Sequence, residues 1–240
     1  MEKEILTVNK LNKIFRQGKK EFHAVDHISF SIRKGECFGL IGESGSGKST
    51  AANMISGLMR PTSGEVRFHG SNLQMVFQDP KASFSPHMRI LDGLCEGLRY
   101  RTSLSRKERE ERAYEVLEQV GLKPEYGRKY CHELSGGECQ RAAIGRAIMI
   151  RPELLICDEV TSALDVSVQE QIIQLLKKLG RENGMSYLFI SHDLALVSGI
   201  CDRIAVMRRG KIVEMGETGE VILHPKEEYT KRLLDSVLTI

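Results

Sequence analysis

Three glycines, three serines and one lysine are crowded into GESGSGKST at 42–50. Gly42, Glu43, Ser44, Gly45, Ser46, Gly47, Lys48 and Ser49 fit the spacing G-x-x-x-x-G-K-[ST], and Thr50 follows. Such glycines admit backbone angles that turn successive N–H groups toward one anion. Lys48 adds a point charge for the outer phosphates of a nucleotide, and Ser49 adds a hydroxyl suited to Mg²⁺. The stretch follows the apolar run ECFGLI and opens the helix-like STAANMISGL. It therefore reads as a phosphate cradle at a helix N-terminus rather than a plain Gly/Ser turn.

Two further apolar runs end in polar residues. LLICDE closes on Asp158 and Glu159, and FISHD on His192. In a parallel sheet the carboxyl ends of strands share one edge, where ligands bind. Asp158 is then placed for a metal shell, Glu159 to take a proton from an attacking water, and His192 to reach the terminal phosphate. Gln78, after LQMVF, reaches the same edge from a neighbouring strand. A second cradle-like stretch is LSGGECQR at 134–141. Ser135 with Glu138 forms a capping box. Gly136 and Gly137 inside the first turn cost about 1 kcal/mol each relative to alanine, and close backbone approach to an anion would explain them.

The elements that must hold these residues follow from periodicity. ILTVNKLNKIF and AVDHISFSI alternate at period two, and the short apolar runs above read as buried strands. In STAANMISGL, Ala52, Ile55, Ser56 and Met59 share a helical face. EVRFHGSNLQMVFQD reads as two strands joined by a tight turn at Gly70–Asn72. Ser105 and Glu108 cap a helix whose stripe is Ala113, Val116, Leu117 and Val120, with Gly121 as its stop. Another helix runs from Ser135 to about Met149. VSVQEQIIQLLKKL is helical, with Ile172, Leu175, Leu176 and Leu179 inward. CDRIAVMRRGKIVEMG is a hairpin about Arg209-Gly210. Alternating strands and helices imply an α/β fold with a mostly parallel sheet. A helix-only block at about 80–150 interrupts it as an inserted subdomain.

The bulk numbers agree with a soluble globular chain. Of 240 residues, 41% are hydrophobic and 28% charged, with a net charge of +3. The basic runs Arg99–Arg101 and Lys107–Arg112 are short and mixed with acids, so no stripe for nucleic acid is expected. No apolar run of about 18 residues exists, and MEKEILTV has no leader pattern. The six cysteines form no C-x-x-C pair. Framework disulfides and a zinc site are not expected, and a reducing compartment is.

Taken in order, GESGSGKST, the glutamine of VFQDP, LSGGECQR, LLICDE, SALD at 162–165 and the SHD of His192 resemble the ATPase subunits of ABC transporters over nearly the whole chain. The resemblance implies a P-loop NTPase core at 1–79 and 151–240, carrying antiparallel β elements. The helical subdomain at about 80–150 carries the signature LSGGECQR, and a tail occupies about 217–240. It implies ATP and Mg²⁺ as cofactors, with Ser49, Gln78 and Asp158 on the metal and Glu159 and His192 as catalytic groups. Phe15 would stack on adenine, with Val25 beside the base. Ser135, Gly136, Gly137 and Asp165 would contact ATP held by a second ATPase subunit.

SFSP at 83–86 and the tail ILHPKEEYTKRLLDS are similar to those of peptide/nickel-type importer ATPases. That likeness implies two membrane permease subunits, an extracytoplasmic binding protein, and a peripheral location on the cytoplasmic face of a bacterial or archaeal membrane. Three departures stand out: the short 70–78 segment, Glu138-Cys139 in the signature, and Glu227-Glu228 before Tyr229-Thr230. A soluble ABC ATPase on ribosomes or nucleic acid, and an exporter ATPase, stay open as alternatives.

Overall fold

Short apolar runs can be central strands only if both of their faces are covered, and two layers cover them here. The computed structural model of the protein describes residues 3–18 and 20–238. Its strands are β1 (Glu4–Gln17), β2 (Lys20–Arg33), β3 (Cys37–Ile41), β4 (Ser63–Phe68), β5 (Leu73–Val76), β6 (Leu154–Asp158), β7 (Ser186–Ser191), β8 (Arg203–Arg208) and β9 (Lys211–Glu217). Its α-helices are α1 (Lys48–Ile55), α2 (Ile90–Arg101), α3 (Arg106–Gln119), α4 (Gly136–Ile148), α5 (Val166–Asn183), α6 (Leu194–Ile200), α7 (Thr218–Leu223) and α8 (Glu228–Leu238).

A six-stranded sheet has the order β5-β6-β7-β3-β8-β9, parallel except for the β8–β9 hairpin. A separate antiparallel sheet has the order β2-β1-β4. Alternate residues of the parallel strands sort between two cores. Phe38, Leu40, Ile156, Leu188, Ile190 and Ala205 pack with the antiparallel sheet and α1. Leu155, Cys157, Tyr187, Phe189, Ile204 and Val206 pack with the helices on the other face. That two-sided burial is why these strands are continuously apolar. Phe30 of β2 stacks on Phe38 of β3 at 5.0 Å, joining the two sheets.

Much of the periodicity is realised. The Ser105–Glu108 capping box is formed, and Ala113, Val116, Leu117 and Val120 are buried. The residues expected inward on α5 are buried as well. The β8–β9 turn has positive φ at both Arg209 (47°) and Gly210 (83°), as a twist-matched two-residue hairpin requires.

Three expectations change. First, the strands flanking Gly70–Asn72 do not pair with each other. β4 pairs with β1 and β5 with β6, so the short link is a switch between sheets. Glu153 organises it by accepting from the Ser71 N–H (2.7 Å) and hydroxyl (2.9 Å). Second, α1 stops at Ile55, and its buried face is Lys48, Ala51, Ala52, Met54 and Ile55. Ser56 is its cap and Met59 lies beyond it, because Gly57 turns left-handed at φ 80°. Third, Cys131 and Cys139 form a disulfide, their Cα atoms 6.2 Å apart. The turn at Cys131–Glu133 folds back on α4, a contact that an eight-residue spacing does not announce.

Removing the Glu153 carboxylate frees the Ser71 N–H and hydroxyl together. We expect Glu153→Ala to lower unfolding free energy by about 1–2 kcal/mol in urea denaturation. An unchanged midpoint would show that the sheet switch needs no such anchor.

Candidate active site

The loop at 42–47 follows β3 and opens α1, so it lies at the carboxyl edge of the central strands. A Cβ at Gly42 would lie 2.1 Å from the Met207 carbonyl oxygen, and one at Gly47 would lie 2.1 Å from that of Ala24. Both glycines are therefore fixed by neighbouring backbone as well as by any phosphate. Lys48 is buried, and its ammonium donates to the carbonyls of Gly42 (2.7 Å) and Glu43 (2.9 Å). Burial pushes its pKa down, while Glu159, Asp158 and Glu43 oppose that shift. The Ser46 hydroxyl is buried without a partner among the described residues. An unmet donor beside a buried cation fits an anionic ligand in this cradle.

Glu159 gathers the other expected residues. Its backbone sits in the left-handed region, φ 48°, where a non-glycine residue is strained. Its N–H donates to the Ile190 carbonyl at 3.0 Å, tying the end of β6 to β7. The Gln78 amide donates to its carboxylate at 3.1 Å, Lys48 Nζ lies at 3.8 Å and His192 Nδ1 at 3.7 Å. Gln78 Nε2 also lies 3.4 Å from the Ser162 hydroxyl, a contact the sequence did not suggest. In this orientation Gln78 offers a donor, whereas ligating a cation would use its Oε1.

The Ser49 hydroxyl donates to Asp158 at 3.1 Å. Burial raises the Asp158 pKa, Ser49 lowers it, the Glu159 charge raises it and Lys48 lowers it. A hydroxyl and a buried carboxylate side by side are oxygen donors suited to Mg²⁺, which takes few protein ligands and completes its shell with phosphate and water. No group of three or more His, Cys, Asp or Glu side chains that could hold a metal occurs among the described residues.

The signature residues form a second cluster. Ser135 caps α4, its hydroxyl accepting from the Glu138 N–H (3.3 Å) while Glu138 accepts from the Ser135 N–H (2.8 Å). Tyr126 adds a 2.6 Å bond to the Glu138 carboxylate, and this bond is the main reason that carboxyl titrates low. A Cβ on Gly136 would meet Leu164 at 3.5 Å, and one on Gly137 would meet Val168 at 2.7 Å. The cluster thus leans on the Asp165 turn that caps α5, and Asp165 itself is exposed. Among the described residues the cluster's partners lie in α4, at Tyr126 and around the start of α5. Thr50 lies in the first turn of α1, and Ser44 and Gly45 at the loop's tip.

The expected base-binding pair divides. Phe15 is 42% exposed near the tip of the β1–β2 hairpin, with Lys13 Nζ 5.4 Å from its ring centroid. Val25 has no exposed surface and packs in the core between the sheets. Its period-two position on β2 points inward, so any role beside the base would be played from within that core.

Residues 25–162 match the family model for the ABC transporter. The chain belongs to the ABC transporter family, as an ATP-binding, ATP-hydrolysing cassette. It is 44% identical over 254 residues to the oligopeptide transport ATP-binding protein OppF of Bacillus subtilis (strain 168), covering 99% of this chain and 83% of that protein. It is also 44% identical to OppF of Escherichia coli (strain K12) over 239 residues, or 93% of this chain and 72% of that one. Among solved structures, the dimeric ATP-binding cassette MJ0796 in a post-hydrolysis state with ADP and Pi superposes with TM-score 0.81 at 29% identity. That match covers 89% of this chain and 98% of the other.

The buried Asp158 gives a testable sign. Its folded pKa is raised above the ordinary 3.8, so its proton is held more tightly folded than unfolded. Its contribution favours folding at low pH and becomes a cost as pH rises through the folded value. At pH 7 Asp158→Asn removes that cost and keeps an acceptor for Ser49. We expect the nucleotide-free variant to melt at or above the parent temperature while its ATPase activity falls. A clearly lower melting temperature would contradict the assigned electrostatics.

Proposed function

We propose that this chain is the ATP-driven motor of a membrane importer for peptides. The ATPase chemistry is carried by one observation: Lys48, Gln78 and His192 converge on the Glu159 carboxylate beside the Ser49–Asp158 pair. The cargo class rests on relatives named as oligopeptide transport ATP-binding proteins, together with SFSP and the Tyr229-Thr230 tail.

The loop N–H groups of 42–50 and Lys48 hold the phosphates, and Phe15 offers a face to adenine. Ser49 and Asp158 hold Mg²⁺, with Gln78 beside them. Held there, Mg²⁺ would supply positive charge against the phosphates. Glu159 takes the proton of the attacking water. His192, half exposed at the same edge, donates toward the terminal phosphate. Ser135, Gly136, Gly137 and Asp165 serve the ATP of a facing subunit, so each seam takes one loop from each chain. The core at 1–79 and 151–240 binds nucleotide, the block at about 80–150 presents the signature, and the tail at about 217–240 completes the unit.

Further partners are a second ATPase chain, favoured as a different one, and two permease subunits. An extracytoplasmic binding protein acts through the permeases. No helix among the described residues is long and apolar enough to cross a membrane. Attachment to the cytoplasmic face would therefore run through the permeases.

Glu159→Gln keeps the hydrogen-bonding shape but loses the base. We expect ATP binding to persist and turnover to fall about 10²- to 10⁴-fold, measured as phosphate release. Near-parent turnover would rule the base out.

The facing-subunit role is tested at Gly136, because a Cβ there meets only ordinary contact whereas one at Gly137 strikes Val168. Gly136→Asp should keep ATP affinity in dilute monomer yet abolish turnover. Mixed with Lys48→Ala subunits it should regain part of the activity, since one seam of a mixed dimer is intact. In a strict heterodimer the two lesions are split between the partners. Loss of ATP affinity by Gly136→Asp monomers would place the signature in its own subunit's site.

A further inference from the structure

Tyr229 of the tail helix α8 reaches the phosphate loop. The Glu43 N–H donates to the Tyr229 hydroxyl at 3.1 Å, across 186 residues of sequence. Tyr229 is buried, and the Arg208 guanidinium covers its ring at 4.8 Å. Its helix start is anchored by Glu214 of β9, whose carboxylate accepts from the N–H groups of Lys226 (2.8 Å) and Glu227 (3.2 Å). The same hairpin holds the other side of the loop, where the Gly210 N–H donates to the Ser46 carbonyl at 2.9 Å. The β8–β9 hairpin and α8 thus form one brace against the 42–47 loop.

The peptide joining Gly42 to Glu43 is trans, so its C=O and N–H point in opposite directions. The inner end, the Gly42 carbonyl, accepts from Lys48 at 2.7 Å. The outer end is the N–H held by Tyr229. Gly42 lies at φ 157° and carries no Cβ to restrict rotation of this peptide. Fixing one end of the plane fixes the other, and with it the seat of the buried ammonium.

We propose that Tyr229 is a positioning residue for ATP binding: its hydroxyl clamps the Gly42–Glu43 peptide and thereby sets Lys48 in the phosphate cradle. Tyr229 touches no phosphate and acts only through that peptide. The inference rests on the 42–50 loop being the ATP site. It makes nucleotide affinity depend on a helix at the far end of the chain.

The test is Tyr229→Phe, which keeps the ring and its contact with Arg208 but removes the acceptor. Binding of a fluorescent ATP analogue to the intact chain should weaken about 3- to 10-fold, the net worth of one hydrogen bond. The nucleotide-free melting temperature should stay within about 3 °C of the parent. Amide hydrogen exchange at Glu43, followed by NMR without nucleotide, should speed up while exchange in α8 stays as in the parent. Parent-like affinity or parent-like Glu43 exchange would overturn the proposal. So would a fall in melting temperature large enough to account for the lost affinity. If the parent chain itself fails to bind the analogue, the ATP-site assignment has failed instead.

Discussion

A buried ammonium governs the nucleotide end of this molecule. Lys48 is 4% exposed, and an uncompensated charge at such depth would be untenable. Two carbonyls of its own loop and the carboxylate of Glu159 compensate it. Each compensator constrains something else. The carbonyls require the loop to curl around the lysine, which packs Gly42 and Gly47 against neighbouring backbone. Glu159 must turn back toward the loop, which coincides with its left-handed backbone. The same carboxylate then meets Gln78 and His192 on the strand ends and loops beside it. One buried charge thereby orders residues drawn from four stretches of sequence.

That arrangement is possible because the sheet is buried on both faces. Residues of β3, β6 and β7 alternate between the core under the antiparallel sheet and the core under the helices. With both faces packed, ligands of such a sheet are expected at the carboxyl ends of its strands. The parallel register Ile41↔Ser191 and Asp158↔Ile190 brings those ends level. The phosphate loop, the acidic pair and the loop carrying His192 therefore emerge side by side.

What was legible in the sequence was local. Capping boxes at Ser105 and Ser135, the apolar stripe of α5 and the Arg209-Gly210 turn each depend on residues within a few positions of one another. The misread features depend on distant partners. The 70–72 link reads as a hairpin turn because only its strands are visible locally. Glu153 and β6, some 80 residues later, turn it into a switch between sheets. The Cys131–Cys139 pair and the Tyr229–Glu43 bond have no spacing signature, since both arise from chain folding back on itself.

The signature glycines show how a sequence argument can be right about cost and incomplete about cause. Two glycines in a first helical turn are expensive, which suggests close approach of something. For Gly137 that something includes this chain, because Val168 occupies the space a Cβ would need. Gly136 has no such neighbour, so its glycine is the better indicator of an outside ligand. Ser135 supports the same distinction. Its oxygen accepts from the Glu138 N–H, yet a hydroxyl that accepts one bond still has a proton to donate. Glu138, meanwhile, has its carboxylate turned back onto Ser135 and Tyr126. A group that would repel phosphate is thus tied to the capping box. Gly136, the Ser135 proton and the positive end of the helix dipole are thereby left as the groups that the proposed contact with a facing subunit's ATP would use.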